Sequence, residues 1–275
     1  MKNNLCTVFL AGDVCASVGV RAVTNLLPKL IERESIDFCV INGENATGGI
    51  GLSSGDAEAI LAAGADVITG GNHSFEKRDH WPVLDVNPAV LRPANFPSRG
   101  LTAEESLPGH GMGIYEKNGH TFAVFNVQGR EDMTALDCPF VYMRTALETL
   151  SLKDSGAMIL VDFHAESTQE KEAFALMLDG KVSVVAGTHT HVQTADERVL
   201  PGGTAYITDL GMTGPWRSVI GSAPEISIKR NITQVLYRME AAEGAGALRG
   251  LLVYIDPETR KAISVRRVEV IEETV

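Results

Sequence analysis

The chain has 275 residues, 44% hydrophobic and 21% charged, with a formal net charge of −11. That is enough for a substantial buried core, read as one domain over residues 1–275. The acidic balance, without a basic stripe, excludes a long nucleic-acid polymer as the expected partner. No stretch approaches the roughly 20 uncharged apolar residues of a membrane span, so no membrane partner is expected either.

The N-terminal "MKNNLCTVFLAGDVC" carries one Lys and a short apolar run that ends in Gly12-Asp13, without a small-residue cleavage site. It reads as a first buried strand, and the chain as cytoplasmic. Cys6, Cys15, Cys39 and Cys138 are scattered without a CxxC pair, so reduced thiols are expected, not a disulfide framework.

In chain order, Leu5–Ala11 is the first predicted strand and ends in Gly12-Asp13. A helix is predicted over Val18–Glu32. Phe38–Asn42 is the second strand and ends in Gly43-Glu44-Asn45. A helix over Ser54–Ala63 precedes the strand Val67–Thr69, which ends in Gly70-Gly71-Asn72-His73. "GHGMG" at 109–113 is a glycine cluster with no chemistry assigned. Strand Phe122–Val127 and helix Val141–Leu152 follow. Strand Met158–Phe163 ends in His164, helix Thr168–Leu178 comes next, and strand Val182–Ala186 ends in Gly187-Thr188-His189-Thr190-His191. Near-continuous Val, Ile, Leu, Phe and Ala is expected of strands covered on both faces, and the βα alternation argues for a layered α/β fold. The last third reads as strands Thr204–Thr208, Gln234–Glu240, Gly250–Ile255 and Ala262–Ile271, the last two joined by the turn "DPETRK" at 256–261. A second sheet built partly from these strands would pack on the first. "EGAGALRG" at 243–250 is a flexible turn candidate and lacks the Lys-Ser/Thr of a phosphate loop.

Five α/β strands thus end in Asp, Glu/Asn, Asn/His, His and His-x-His. Functional groups in parallel α/β sheets gather outside the carboxyl ends of strands, and a preceding Gly lets the backbone turn sharply. Carboxylate, amide and imidazole without thiolate suit Mn, Fe, Zn or Ni. On an extended segment, His189 and His191 would sit ~6.6 Å apart and on the same side. That spacing can serve two metals ~3.5–4 Å apart. Each piece has an ordinary alternative: Gly-Asp and "NGEN" as turns, His164 as a satisfied core histidine. Their joint placement favours one shared site. His80, His110 and His120 fall outside the pattern.

The motifs "GD" at 12–13, "GEN" at 43–45, "GNH" at 71–73, His164 and "GTHTH" at 187–191 resemble the calcineurin-like metallophosphoesterases. "INGENATGGIGL", "RPANFP", "DFHAE", "GTHTHVQTAD" and "TAYITDLGMTGP" narrow the resemblance to the YmdB-like branch, described as 2′,3′-cyclic nucleotide phosphodiesterases. The resemblance runs from about Leu5 to about Ile271. It implies a layered α/β/β/α sandwich, two mixed sheets flanked by helices. It also implies two metal ions per chain, Fe or Mn with Zn as the alternative. One would be held by Asp13, Glu44, Asn45 and His191, the other by Glu44, Asn72, His164 and His189, with Glu44 bridging. The wider superfamily has Asp-x-His where this chain has Asp13-Val14-Cys15, and Asp where it has Glu44. Asn45 is the implied replacement ligand, with Cys15 as the rival.

The same resemblance implies hydrolysis of a small phosphodiester by a metal-activated hydroxide, with His73 as general acid toward the leaving oxygen. On an extended segment His73 would point away from its neighbour Asn72. Arg130 and Asn95 are candidates for substrate contact or for loop shaping. Asp162 and Asp209 are candidates for orienting the histidines. "GMTGPW" at 211–216 reads as a rigid loop at a subunit contact, and a homo-oligomer is expected. The competing classes are a metal-dependent amidohydrolase and a metal-bound regulatory scaffold. The first is disfavoured because its His-x-His comes early, on the first strand of an eight-fold βα barrel.

Overall fold

The computed structural model describes residues 5–97, 102, 105–149, 156–238 and 240–273. The elements run β1 (Cys6–Ala11), α1 (Ala16–Glu34), β2 (Phe38–Asn42), α2 (Ser54–Ala62), β3 (Val67–Thr69), α3 (Pro82–Val86), β4 (Met112–Lys117) and β5 (His120–Gln128). Then come α4 (Pro139–Thr149), β6 (Met158–His164), α5 (Thr168–Leu178), β7 (Val184–Thr188), β8 (Arg198–Val199), β9 (Ala205–Ile207) and β10 (Gly214–Pro215). Helix α6 (Pro224–Thr233) and strands β11 (Gly246–Ile255) and β12 (Ala262–Ile271) complete the order.

Two six-stranded mixed sheets stack face to face. One has the order β10-β11-β1-β2-β3, with β12 beside β11; the other has β4-β5-β6-β7-β9-β8. Strand alternation builds the layers. Val8 and Leu10 point between the sheets toward Phe122, Val124, Leu160 and Val184, while Phe9 and Ala11 point outward to Val23 and Leu27 of α1. On the far side, Val161 and Phe163 pack against Phe174 and Leu178 of α5. With both faces of each sheet covered, the central strands have no polar face to show. The result is the expected α/β/β/α sandwich. The described residues form two open sheets and no eight-fold barrel, which argues against the amidohydrolase alternative.

The structure corrects several sequence expectations. The ligand-bearing strands do not share one sheet: β1–β3 lie in the first, β6 and β7 in the second. Strands β11 and β12 join β1 in the first sheet, not the second. The supposed turn at 243–250 contains the start of β11. Gly250 is required there because a Cβ would meet Leu10 O at 2.2 Å, so it marks close strand approach and not a break. The strand expected over Gln234–Glu240 does not form among the described residues of that range. Gln234 instead closes α6 with φ 57°, and 235–238 are irregular. Helix α6 escaped notice because it buries only Ser227 and turns Ile228 and Ile232 outward, so no 3.6-residue apolar stripe faces the core. Helix α4 is described to Thr149, and the expected 150–152 part lies outside the described residues. The β11–β12 hairpin and its turn form as expected, with Asp256 N donating to Lys261 O at 2.9 Å.

Candidate metal centre

The carboxyl ends of β1, β2, β3, β6 and β7 meet at one edge of the sandwich. Four acceptors converge there. His164 Nε2 lies 2.9 Å from Asn72 Oδ1, 3.1 Å from His189 Nδ1 and 3.4 Å from Glu44 Oε2. Glu44, His164 and His189 offer ligand atoms within 4.8 Å of one another. Glu44 faces two ways. Its Oε2 belongs to this group and accepts from His73 N at 3.0 Å, while its Oε1 accepts from Asn45 Nδ2 at 2.8 Å. Asn45 Nδ2 also lies 3.2 Å from His191 Nε2. A flip of the Asn45 amide, equivalent in shape, would aim its Oδ1 at the same place. Asp13, fully buried, accepts from His189 N at 3.1 Å through Oδ2. Its Oδ1 has no hydrogen-bond partner among the described residues and lies 3.7 Å from His164 Nδ1.

The tautomers follow from the surrounding bonds. Asp162 accepts from Thr188 Oγ1 at 2.6 Å, from Thr69 Oγ1 at 2.5 Å and from Asn42 Nδ2 at 2.9 Å. The Thr188 hydroxyl, having donated, accepts from His164 Nδ1 at 2.9 Å. His164 therefore carries its proton on Nδ1 and turns the Nε2 lone pair to the cluster. Glu166 Oε2 lies 3.1 Å from His189 Nε2, which places that ring's proton on Nε2 and its Nδ1 lone pair inward. Among the described residues no donor stands between these lone pairs. That arrangement fits a cation.

Electrostatics point the same way. Burial pushes the Glu44 carboxyl well above its ordinary range, and the nearby Asp13 carboxylate adds to it. Burial likewise raises Asp13. Burial holds His164 well below, and His189 below, the usual imidazole value. Burial pushes Asp162 up to about 7 against the pull of its three donors. Paired carboxylates and neutral imidazoles without positive charge are a costly set to bury, and a bound metal offsets that cost.

Local backbone explains how these side chains gather. A Cβ on Gly71 would stand 2.2 Å from Glu44 Oε2 and 2.4 Å from His164 Nε2, so only glycine leaves room for the cluster. His189 and His191 are not extended: their φ values are 102° and 65°. The pair lies on a left-handed bend just past β7, so the same-side strand argument does not describe it. Backbone strain of this kind, about 1–3 kcal/mol per residue, persists where neighbours over-determine it. Here Asp209 Oδ2 holds Thr190 N at 3.1 Å, and Ile220 O accepts from His191 Nδ1 at 2.9 Å. Asn72 and His73 also lie in a turn and not on a strand, and His73 Nδ1 lies 2.7 Å from Glu76 Oε1.

Of the remaining candidates, Asp162 and Asp209 do contact the histidine supports. Asn95 does not face the site. Buried at 1% exposure, it bonds Gln128 N, Gln128 O and Asp137 O and shapes its own loop. Arg130 is exposed and does not line the cleft above the cluster. Cys15 lines that cleft but stands outside the three-ligand group, and burial pushes its thiol up to about 12. Sequence reasoning missed Thr188, Glu166 and Lys171. Lys171 is fully buried and donates to Asp209 Oδ2 at 2.8 Å. Its signal was available: Lys171 sits three, four and seven residues before Phe174, Ala175 and Leu178, on the apolar stripe of α5.

A family model described as YmdB-like protein matches residues 9–268. The chain belongs to the YmdB-like family. It is 42% identical over 261 residues to a Bacillus subtilis (strain 168) protein named 2′,3′-cyclic-nucleotide 2′-phosphodiesterase, covering 95% of this chain and 96% of that relative. Two solved structures also share the fold over nearly their whole length. A hypothetical protein from Thermus thermophilus has a TM-score of 0.86 at 35% identity, covering 97% of this chain and 100% of that one. A Mycoplasma pneumoniae protein described as a novel phosphatase has a TM-score of 0.89 at 33% identity, with 98% and 95% covered.

Proposed function

We propose that this chain is a metal-dependent phosphodiesterase that hydrolyses small phosphodiesters, with 2′,3′-cyclic nucleotides as the substrate class. The observation that carries the reading is the meeting of four acceptor atoms, Asn72 Oδ1, His164 Nε2, His189 Nδ1 and Glu44 Oε2, in a chain whose relative bears that activity's name. Asn72, His164, His189 and Glu44 would hold one metal ion, and Asp13, Asn45, His191 and Glu44 a second. Fe or Mn is the leading candidate and Zn the alternative, given nitrogen and oxygen donors without thiolate. When bound, such a pair supplies Lewis acidity toward phosphoryl oxygens and a nucleophile from water at neutral pH.

The chain's own residues then have separate tasks. Glu44 presents one carboxylate oxygen to each half of the site. Thr188 and Glu166 keep the His164 and His189 lone pairs inward. His73 lines the cleft, and Glu76 accepts from its Nδ1–H, so it is the imidazolium form, with a second proton on Nε2, that delivers a proton to the leaving oxygen. His73→Ala is expected to keep both metals by elemental analysis and to lose ~10²–10⁴-fold in turnover. Loss of metal from that variant would end this division of labour. A panel of 2′,3′-cyclic nucleotides, 3′,5′-cyclic nucleotides, phosphomonoesters and a chromogenic diester tests the substrate class, and activity confined to esters or amides would reject it.

The reading extends to a single-domain, cytoplasmic homo-oligomer. The free cysteines and the exposed Trp216 and Ile232 side chains support it, and sedimentation measures its mass.

A further inference from the structure

The cleft over the cluster has a volume of about 810 Å³, far more than a phosphate needs. Its wall opposite the ligands comes from a part of the chain with no assigned role, the Val219–Ser222 turn and α6. The turn is tight: Val219 N donates to Ser222 O at 2.9 Å and Ser222 N to Val219 O at 3.0 Å. Both central residues have positive φ, Ile220 at 47° and Gly221 at 101°. Such turns favour Asn or Gly at the first of these positions, and a β-branched residue there is an outlier. The strained geometry has two results. The Ile220 carbonyl reaches His191 Nδ1, and its side chain stands 57% exposed on the cleft wall.

The rest of the wall has matching chemistry. Leu236 and Ile50 are exposed apolar side chains on the same cleft. Asn231 donates its amide to Ser227 O at 2.9 Å, and Gln234 donates to Asn231 O at 2.8 Å. Each bond uses one of the two N–H donors of its amide and turns neither oxygen away, which leaves the two amide oxygens as acceptors on the wall. Arg230 is exposed, has no ion pair among the described residues, and is the one Lys or Arg lining this cleft among them. Apolar cover, amide acceptors and one guanidinium together fit a nucleotide.

We propose that the Val219–Ser222 turn and the C-terminal half of α6 form the nucleoside-recognition wall of the cleft. Ile220, Leu236 and Ile50 cover the faces of the base, the Asn231 and Gln234 oxygens accept from its N–H groups, and Arg230 meets the phosphate. The proposal rests on the phosphodiesterase reading for its substrate class and assigns what reads the part of the substrate that does not react.

The test compares adenosine 2′,3′-cyclic phosphate with glycerol 1,2-cyclic phosphate, the same five-membered diester without a base, on metal-loaded full-length protein. Ile220→Gly keeps the carbonyl that holds His191 and suits the positive φ, so the turn is expected to survive. Asn231→Ala/Gln234→Ala alters the wall away from the ligands. Each is expected to lower the ratio of kcat/KM for the adenosine substrate over the glycerol one by about ten-fold or more, mainly through KM. Arg230→Gln is expected to raise KM for both substrates. A ratio unchanged in both wall variants overturns the proposal. So does a parallel fall on both substrates with loss of metal in Ile220→Gly, which would show that the turn acts only through His191. Calorimetric binding of adenosine 3′-monophosphate is expected to weaken about ten-fold in both wall variants, and unchanged binding also overturns the wall. That readout stands even if the wild type hydrolyses neither diester, an outcome that would sink the phosphodiesterase reading instead.

Discussion

Replacing Gly71 with alanine places one methyl group where the proposed ligands meet. An ideal Cβ would lie 2.2 Å from Glu44 Oε2, 2.4 Å from His164 Nε2 and 2.6 Å from His164 Cδ2. Gly71 is not among the positive-φ glycines, so the backbone itself accepts alanine. The ligands must therefore retreat by about 1 Å to restore van der Waals contact, a displacement that can cost ~10²-fold in catalysis. They have little room. His164 is fully buried and tied to Thr188, and Glu44, 2% exposed, is tied to His73 N and Asn45. Overpacking of this kind costs about 1–3 kcal/mol in a well-packed interior. Elemental analysis is expected to show metal loss, and turnover is expected to fall at least ~10²-fold. The metal-free melting temperature should drop by roughly 2–4 °C per kcal/mol. Gly55→Ala is the control, since a Cβ there meets nothing within 4 Å. A Gly71→Ala protein with a full metal complement and wild-type turnover would refute the assignment of Glu44 and His164 as ligands.

Thr188→Val removes the hydroxyl between Asp162 and His164 and frees the ring's tautomer. Metal affinity by competition with a chelator should fall about 10–100-fold with the fold retained, and unchanged affinity would remove Thr188 from the site. Lys171→Met leaves the Asp209 charge buried and unpaired, so denaturant unfolding should show a loss of about 3–5 kcal/mol. A loss under about 1 kcal/mol would mean that the pair is solvated in solution. Glu272 accepts from Arg21, Asn25 and Gly246 N, and these bonds, Arg21 first, pull its carboxyl down to about 2. A depressed folded value means that its contribution is full above the unfolded carboxylate value of ~4.3 and is lost as pH falls toward 2. Glu272→Gln should therefore lower the melting temperature more at pH 6 than at pH 3, and an equal drop at both would refute the sign.

The residues that converge at the edge of the sandwich were readable in the sequence because each follows an apolar run, mostly with a glycine before it. Strands buried on both faces leave polar groups only at their ends, so Asp13, Glu44, Asn72, His164, His189 and His191 stood out against Val, Ile and Phe. Lys171 was readable in principle, as a charge on the apolar stripe of α5. Gly250 misled, because a glycine that admits a neighbouring strand and one that makes a turn look alike along the chain. The division of the strands between two sheets was not readable. A parallel strand carries the same apolar run whichever sheet it joins, and only pairing across tens of residues decides the partner. The left-handed bend at His189 and His191 was equally hidden. Neither residue type demands positive φ; the geometry is imposed by Asp209 holding Thr190 N and by Ile220 O holding His191, contacts from elsewhere in the chain. Local chemistry along the sequence thus pointed to the converging residues and the layered class. Which of them face each other, which tautomers they hold and what walls the cleft were decided by long-range packing, because those depend on distances that chain order does not encode.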